Sequence, residues 1–241
     1  MNIIFLDTVS STNDYIAEKI NELTHGTVVF ANKQTGGKGQ AENKWFTKSG
    51  KNLTFSILYN LSAIDVKNLL SINKAVALSV YEFVSNSTEH KYNVRIKWPN
   101  DIIIDDKKIS GILIENSICG AQIMSIIGIG ININQITFPD MNIKPTSLKL
   151  LTNKTFDLKE ILNEFLSIFK EKISVLSKDI GFINDSYNSQ LFRRGEWYDY
   201  NFKNVCIKAK IIEVDADGLL ILETGQGEKL SFKHGEIKYV Y

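Results

Sequence analysis

Lys97 closes an alternating apolar run, Val94 and Ile96 before it and Trp98 after it, and stands two residues ahead of Pro99. Pro99 fixes its own φ, has no N–H to donate and biases Trp98 toward extended backbone, so a strand must stop there. A lysine at that boundary projects a cation next to the carboxamide of Asn100 and the carboxylate of Asp101. Such a cation can face a cleft and act on an anion, or it can be the solvated lysine of an ordinary edge strand; spacing alone leaves both open. The surrounding segment, from Arg95 to Glu115, predicts two apolar strands joined by a charged turn at Asp105-Asp106-Lys107.

Three other stretches carry residue types suited to ligands. Gly36, Gly37 and Gly39 fall within four positions of the run from Lys33 to Gln40, where missing Cβ atoms let backbone N–H groups turn toward a ligand and Lys38 adds charge. The Gly-Lys-Ser/Thr ending of a phosphate-binding Walker loop is absent, and a plain mobile loop accounts for the glycines equally well. Ser10-Ser11-Thr12-Asn13-Asp14 supplies consecutive cap residues, with Ser11 and Asp14 spaced as a capping box, and a helix start of this kind either simply caps or also offers hydroxyls and free N–H groups to a polar ligand. Gly128 and Gly130, inside an apolar run that continues to Asn132 and Asn134, mark close approach of a ligand or of another backbone.

The composition limits what these residues can serve. The chain has 241 residues, enough for one large domain or a medium one with a small companion, and 28 basic against 27 acidic residues leave a net charge of +1. That balance gives no global attraction to nucleic acid or anionic lipid, so any anion recognition is local. Cys119 and Cys206 are far apart and only His25, His90 and His234 accompany them, without C-x-x-C or H-x-x-x-H spacing, so neither a zinc site nor a disulfide framework is expected. No apolar run approaches the ~18 residues of a membrane span. The first residues also lack the pattern of a signal peptide, and the expectation is a cytoplasmic protein with no membrane and no DNA among its partners.

The elements that must position these residues follow from hydrophobic period. Residues 2–6, 27–31, 53–59 and 122–131 read as strands. A helix opens at the Ser-Thr-Asn run with Tyr15, Ile16, Ile20 and Leu23 on one face, residues 68–84 form the clearest helix, and 156–176 form a second one covering a sheet. Residues 139–153 read as an irregular connection, 185–192 as a short helix, and from Val205 onward short strands punctuated at Asp215-Ala-Asp-Gly218 and Gly225-Gln-Gly227 read as a small all-β barrel. The expected fold class is α+β, a mixed sheet covered by helices, with a division into 1–192 and 193–241.

Lys97-Trp-Pro-Asn-Asp101 followed by Lys108-Ile-Ser-Gly111-Ile-Leu-Ile-Glu115 resembles the central signature of the biotin-protein ligase family. Ser11-Thr12-Asn13, Gln34-Thr-Gly-Gly37-Lys-Gly39, Trp45, Gly50-Lys-Asn52-Leu53 and Gly128-Ile-Gly130-Ile-Asn132 resemble its other motifs in order, and Asp217-Gly218 with Gly235-Glu-Ile237 resembles its C-terminal SH3-like β domain. The resemblance implies the class II aminoacyl-tRNA synthetase-like fold shared by biotin and lipoate ligases. Because it starts almost at Met1, it also implies a short, monofunctional form without the winged-helix DNA-binding domain of repressor members.

The implied activity is that of a biotin-[acetyl-CoA-carboxylase] ligase, which activates biotin with ATP and Mg2+ to biotinyl-5′-AMP and transfers it to a lysine of a carboxylase's biotin carrier domain. Lys97 is then the catalytic cation, unsuited to base catalysis because lysine stays protonated near neutrality unless strongly buried. Ser11, Thr12, Asn13, Gln34, Gly37, Lys38, Gly39, Lys97 and Gly111 are implied for biotin. Lys38, Gln40, Trp45, Asn100, Asp101 and Asn132 are implied for ATP or the adenylate, and Asp101 also for the metal.

One departure from the family stands out: its usual Gly-Arg-Gly-Arg is Gly37-Lys38-Gly39-Gln40 here, so both forked guanidinium groups are missing and a weaker hold on the adenylate is expected. A lipoate or octanoate ligase or transferase of the same superfamily, and a non-catalytic biotin-binding sensor or interaction module, stay open as alternatives. Exposed edges of a mixed sheet leave a homodimer or edge pairing with the carrier open.

Overall fold

A computed structural model describes residues 1–40, 43–61, 68–119, 122–141 and 143–241. The chain runs β1 (Asn2–Val9), α1 (Thr12–Glu18), β2 (Thr27–Gln34), β3 (Leu53–Asn60), α2 (Ser71–Ser87), β4 (Val94–Lys97), β5 (Asp101–Ile104), β6 (Lys107–Cys119) and β7 (Gln122–Ile131). It continues as α3 (Leu148–Thr152), α4 (Leu158–Leu176), α5 (Ile180–Ser189), β8 (Trp197–Phe202), β9 (Val205–Val214), β10 (Leu220–Thr224), β11 (Lys229–Phe232) and β12 (Ile237–Tyr239). The first seven strands form a mixed sheet in the order β1-β2-β3-β7-β6-β5-β4, parallel only between β1 and β2, and the last five form an antiparallel sheet in the order β11-β10-β9-β8-β12. The expected α+β class with a separate small β unit is what the chain adopts.

Strand alternation sorts the large sheet's two faces. On β3, Leu53, Phe55 and Ile57 point into the main core, where Phe165 of α4 meets Phe55 edge-on at 5.3 Å. The intervening Thr54, Ser56 and Leu58 point to the opposite face, where Leu58 packs with Ile16 of α1, Val29 and Ile126. α4 presents Ile161, Leu162, Phe165, Leu166, Phe169, Ile173 and Leu176 at helical spacing to the core, while Asp157 caps its start by accepting from the N–H groups of Lys159 and Glu160. No helix among the described residues is long and apolar enough to cross a membrane.

Several expected boundaries move. The segment from Arg95 to Glu115 holds three strands rather than two, because Trp98, Pro99 and Asn100 make a tight turn, with a cis bond between Trp98 and Pro99, that folds β5 back onto β4. Trp98 therefore lies in a turn and not in the strand. Asp105 and Asp106 make the second turn with φ of 44° and 62°, the left-handed pair that a two-residue hairpin turn requires.

α1 ends at Glu18, so Ile20 and Leu23 reach the same apolar cluster from beyond the helix. Of the expected capping box, Ser11 Oγ does accept from Asp14 N at 3.4 Å, but the Asp14 carboxylate goes to Lys38 instead. α5 lies earlier than expected because Asp179 caps it, which leaves Leu191 to bridge Ile96 and Phe192 N–H to donate to Ile96 O at 2.8 Å. α3, five residues long, falls inside the stretch read as irregular, and β8 starts at Trp197, ahead of the expected Val205. Cys206 is a free, exposed thiol; the side chain of Cys119 lies outside the described residues.

The small sheet is not a detached appendage. One apolar core runs from the large sheet through Tyr187 and Leu191 into Tyr200, Ile211, Leu220 and Phe232. Lys74 of α2, 4% exposed, donates to Asn184 Oδ1, Val214 O and Asp215 O at 2.9, 3.0 and 2.9 Å, and Asn188 exchanges hydrogen bonds with the backbone of Val214.

Candidate functional site

The register of the large sheet lays one row of directly opposed residues across five strands: Lys97 on β4, Asp101 on β5, Gly111 on β6, Gly130 on β7 and Thr54 on β3. Opposed residues share a face, so this row lies on the side away from the main core. The next row, Leu113, Gly128 and Ser56, runs alongside it. The two glycine positions of β7 and Gly111 thus clear a floor between the cation and the polar residues of β3, and a cavity of about 560 Å³ opens over it.

At one end of the cavity the Lys97 ammonium lies 3.7 Å from Asp101 Oδ2 and 4.8 Å from the centre of the Tyr239 ring, while Lys108 Nζ lies 2.6 Å from Asp101 Oδ1. These side chains are only 13%, 11% and 24% exposed for Lys97, Asp101 and Lys108. Burial pushes the Lys97 ammonium below the usual lysine range, and the Lys108 charge adds to this, against the opposing pull of Asp101. Two lysines around one carboxylate leave local positive charge to spare, an arrangement suited to holding and polarising an anion. Asn100 is fixed by donating from Nδ2 to Ile112 O at 2.7 Å, and Ile112 N–H donates back to Asn100 O at 3.0 Å.

At the other end, α1 and β3 build a buried polar array. Gln34 Oε1 accepts from Thr12 N at 2.8 Å and lies 3.1 Å from Thr12 Oγ1. Ser56 Oγ is 2.6 Å from both Thr12 Oγ1 and Asn13 Oδ1, and Asn13 Nδ2 donates to Glu115 Oε2 at 2.5 Å. A Cβ on Gly128 would sit 2.4 Å from Asn13 Oδ1, so the glycine there is required by the amide's position. Between the two ends the Trp45 indole lies on the glycine floor, where a Cβ on Gly130 would come within 2.3 Å of its ring.

Ser11, Thr12, Asn13, Gln34, Lys38, Gly39, Gln40, Trp45, Lys97, Asn100, Asp101 and Gly111 are therefore brought to one cavity. Gly37 and Asn132 are not on its lining. Gly37 stands behind, where its carbonyl accepts from Trp45 N at 3.0 Å and a Cβ would strike Trp45 O at 2.7 Å. Asn132 is 3% exposed, bonded through its backbone to Ile109 and Leu148, with a buried Oδ1 that has no partner. Lys38 is turned to Asp14, 2.6 Å away, and that hydrogen bond raises its pKa.

Sequence reasoning assigned no role to Ser56, Glu115, Lys108, Asp140 or His234; of these Lys108, Asp140 and His234 line the cavity, and the buried Ser56 backs its polar end behind Thr12 and Asn13. Thr54 and Ser56 carried a usable signal, two polar residues alternating with Leu53, Phe55 and Ile57 in a buried strand. His234 carried none, since it reaches the cavity from the small sheet's last turn.

Asp101 is a poor seat for a protein-held Mg2+. Its two oxygens already face Lys108 and Lys97, and no group of three or more His, Cys, Asp or Glu side chains among the described residues could hold a metal.

Residues 5–132 match the Biotin/lipoate A/B protein ligase family. The bifunctional ligase/repressor BirA of Bacillus spizizenii is 29% identical over 234 residues, 95% of this chain and 71% of that protein. Biotin–protein ligase 1, chloroplastic, of Arabidopsis thaliana is 30% identical over 191 residues, 75% of this chain and 49% of that protein. Among solved structures, biotin protein ligase from Aquifex aeolicus in complex with biotin and ATP matches with a TM-score of 0.82 and 29% identity over 99% of both chains. The matched segment holds both ends of the cavity, from the Ser11-Thr12-Asn13 array to Lys97, Asp101 and Lys108, and the chain belongs to the biotin/lipoate A/B protein ligase family.

Proposed function

We propose that the chain is an ATP-dependent biotin–protein ligase. The observation that carries this reading is one cavity with two unlike ends: a neutral donor and acceptor array at Thr12, Asn13, Gln34 and Ser56, and a paired-lysine anion site at Lys97 and Lys108. A neutral polar ring with a carboxylate on a short apolar chain matches that polarity. An octanoyl chain offers nothing to the hydrogen-bonding array, and a dithiolane little more. The complex of the Aquifex aeolicus relative with biotin and ATP supports the choice of substrates.

In the first step a biotin carboxylate oxygen attacks the α-phosphorus of ATP, forming the mixed anhydride biotinyl-5′-AMP while pyrophosphate leaves. Lys97 and Lys108 bring the two anions together and stabilise the negative charge spread over the phosphoryl oxygens. In the second step the neutral ε-amine of a carrier lysine attacks the acyl carbon, AMP departs with the bonding pair, and the amine gives up a proton to leave an amide. The acceptor on this reading is a biotin carrier domain of a carboxylase in the cytoplasm. Mg2+ would supply the counter-charge of the nucleotide's phosphates, with Asp101 already engaged by Lys97 and Lys108. Residues 1–192 hold the biotin array and Lys97, and residues 193–241 close the nucleotide end through His234 and Tyr239.

Biotin-dependent ATP–pyrophosphate exchange, run against lipoate and octanoate and with Lys97→Ala as control, tests the proposal. Exchange with biotin alone, lost in the variant, is the expected result. Exchange with lipoate or octanoate in place of biotin would assign the chain to the other branch of its family.

A further inference from the structure

An ammonium taken out of water needs a partner, and the carboxylate beside Lys97 is shared. Lys108 holds Asp101 Oδ1 at 2.6 Å, whereas the 3.7 Å from Lys97 Nζ to Oδ2 is longer than a hydrogen bond. Lys108 and Arg193, the nearby cations, repel the Lys97 charge, and His234 lines the same cavity from the small sheet. What meets the ammonium from that side is the ring of Tyr239, its centre 4.8 Å away. An aromatic face carries negative potential, so it attracts a cation without bringing an anionic charge of its own. The Tyr239 hydroxyl is buried and has no hydrogen-bond partner, so the ring is what this side chain offers.

That ring is fixed by its own surroundings. Tyr239 on β12 pairs with Tyr200 on β8, whose ring meets it edge-on at 5.5 Å, and Phe192 packs against it at 6.3 Å. Arg193 clasps the next residue, donating to Val240 O at 2.8 Å while its guanidinium stacks 4.1 Å from the centre of the Tyr198 ring and 4.9 Å from that of Tyr241. Resting on the reading of Lys97 as the adenylation cation, we propose that Tyr239 is a positioning residue for that reaction, its ring face holding the Lys97 ammonium at the anion end of the cavity where a hydrogen-bonded carboxylate would otherwise be needed. A second carboxylate there would hold the lysine too, but it would cancel the field that draws the biotin carboxylate and the α-phosphate together and would repel both. Without the ring face the ammonium falls back toward Asp101, and its charge is neutralised by a neighbour instead of acting on the substrates.

Tyr239→Phe, followed by phenylalanines carrying one, two and three ring fluorines at the same position, tests this in the intact chain, since fluorine drains the ring face with little change of shape. Tyr239→Phe keeps the face and drops only the unpartnered hydroxyl, so kcat for biotin-dependent pyrophosphate exchange stays within about twofold of the parent. Along the fluorine series kcat falls step by step to about tenfold below Tyr239→Phe, the fold-change of a desolvated cation–π contact. KM for biotin, set at the other end of the cavity, does not move. In a Lys97→Ala background the residual rate is the same with every ring. Chemical denaturation of the same proteins reads the contact without substrate: stability falls along the series more steeply with Lys97 present than with Lys97→Ala.

A kcat indifferent to fluorine overturns the proposal, as does a Tyr239→Phe variant as slow as the trifluorinated one or a stability slope that is the same with and without Lys97. A parent without biotin-dependent exchange would instead overturn the functional reading, and the two stability slopes would still decide whether the ring holds Lys97.

Discussion

Lys97 owes its value to position as much as to charge. It is held 3.7 Å from Asp101 and largely shielded from water, so its field on a bound phosphate is screened less than that of a surface lysine. Removing it by Lys97→Ala should lower kcat for adenylation about 10²- to 10³-fold, as loss of a preorganised transition-state donor does, measured by pyrophosphate exchange. Burial holds its pKa below the usual 10.5, and the same charge therefore has two opposite pH dependences. The unfolded chain binds the proton more tightly than the folded one, so the folded state gains stability as pH rises from the depressed value toward 10.5 and loses that gain on falling through the depressed value. Catalysis runs the other way: adenylation should fall on the alkaline side at a pH below 10.5, a limb absent from the residual activity of Lys97→Ala. Gln40 is the second residue to test. It lines the cavity without a charge, and its Oε1 is buried and unpartnered. A Gln40→Arg variant should slow release of biotinyl-5′-AMP by roughly ten- to a hundredfold, the worth of one charge-assisted contact, followed by trapping the released adenylate; an unchanged release rate would show that Lys38 and its neighbours already hold it.

At the scale of elements, the turn from Trp98 to Asn100 joins β4 to β5 and sets Lys97 opposite Asp101. Its outer anchor belongs to the small sheet, since Trp98 Nε1 donates to Gly218 O at 3.1 Å and the ring meets His234 edge-on at 6.1 Å. Lys74 fixes the same β9–β10 turn from α2 through the carbonyls of Val214 and Asp215. Trp98→Phe keeps most of the apolar surface and removes that one hydrogen bond. It should cost about 1 kcal/mol of stability and raise KM for ATP more than for biotin, which thermal melts and steady-state exchange can separate.

At the scale of the molecule, the continuous core makes the two sheets one folding partner for each other. A chain ending at Phe192 would uncover Tyr187 and Asn188 and leave the buried Lys74 ammonium with one of its three acceptors, the other two being carbonyls of the lost segment. Losing those hydrogen bonds together with the apolar contacts that cover Tyr187 and Leu191 takes away a large part of the stability of an ordinary domain. The truncated chain is expected to melt well below the intact one or to fail to fold, a result read directly from calorimetry. Equal melting temperatures would show that residues 1–192 stand alone.

The strands, the long helices and the Lys97-Trp-Pro-Asn-Asp101 and Gly-rich segments were legible in the residue order, because period-2 and helical apolar patterns, caps and prolines act over a few neighbouring residues. The same local logic placed a cation at a strand end and glycines where something must come close. What it could not supply was register. Only pairing across five strands puts Lys97, Asp101, Gly111, Gly130 and Thr54 in one row, and a shift of one residue would turn that row into the core. Trp98 looked extended because Pro99 restrains it locally, and tertiary packing against Gly218 made it part of a turn instead. Ser56, Glu115 and His234 joined the site or its support from more than 40 to more than 200 residues away from Thr12 and Asn13, distances over which no local preference acts. The residue types and the family were thus determined by the sequence. The meeting of the two ends of the cavity was decided by the tertiary structure, because it depends on contacts that exist only when the sheet is assembled.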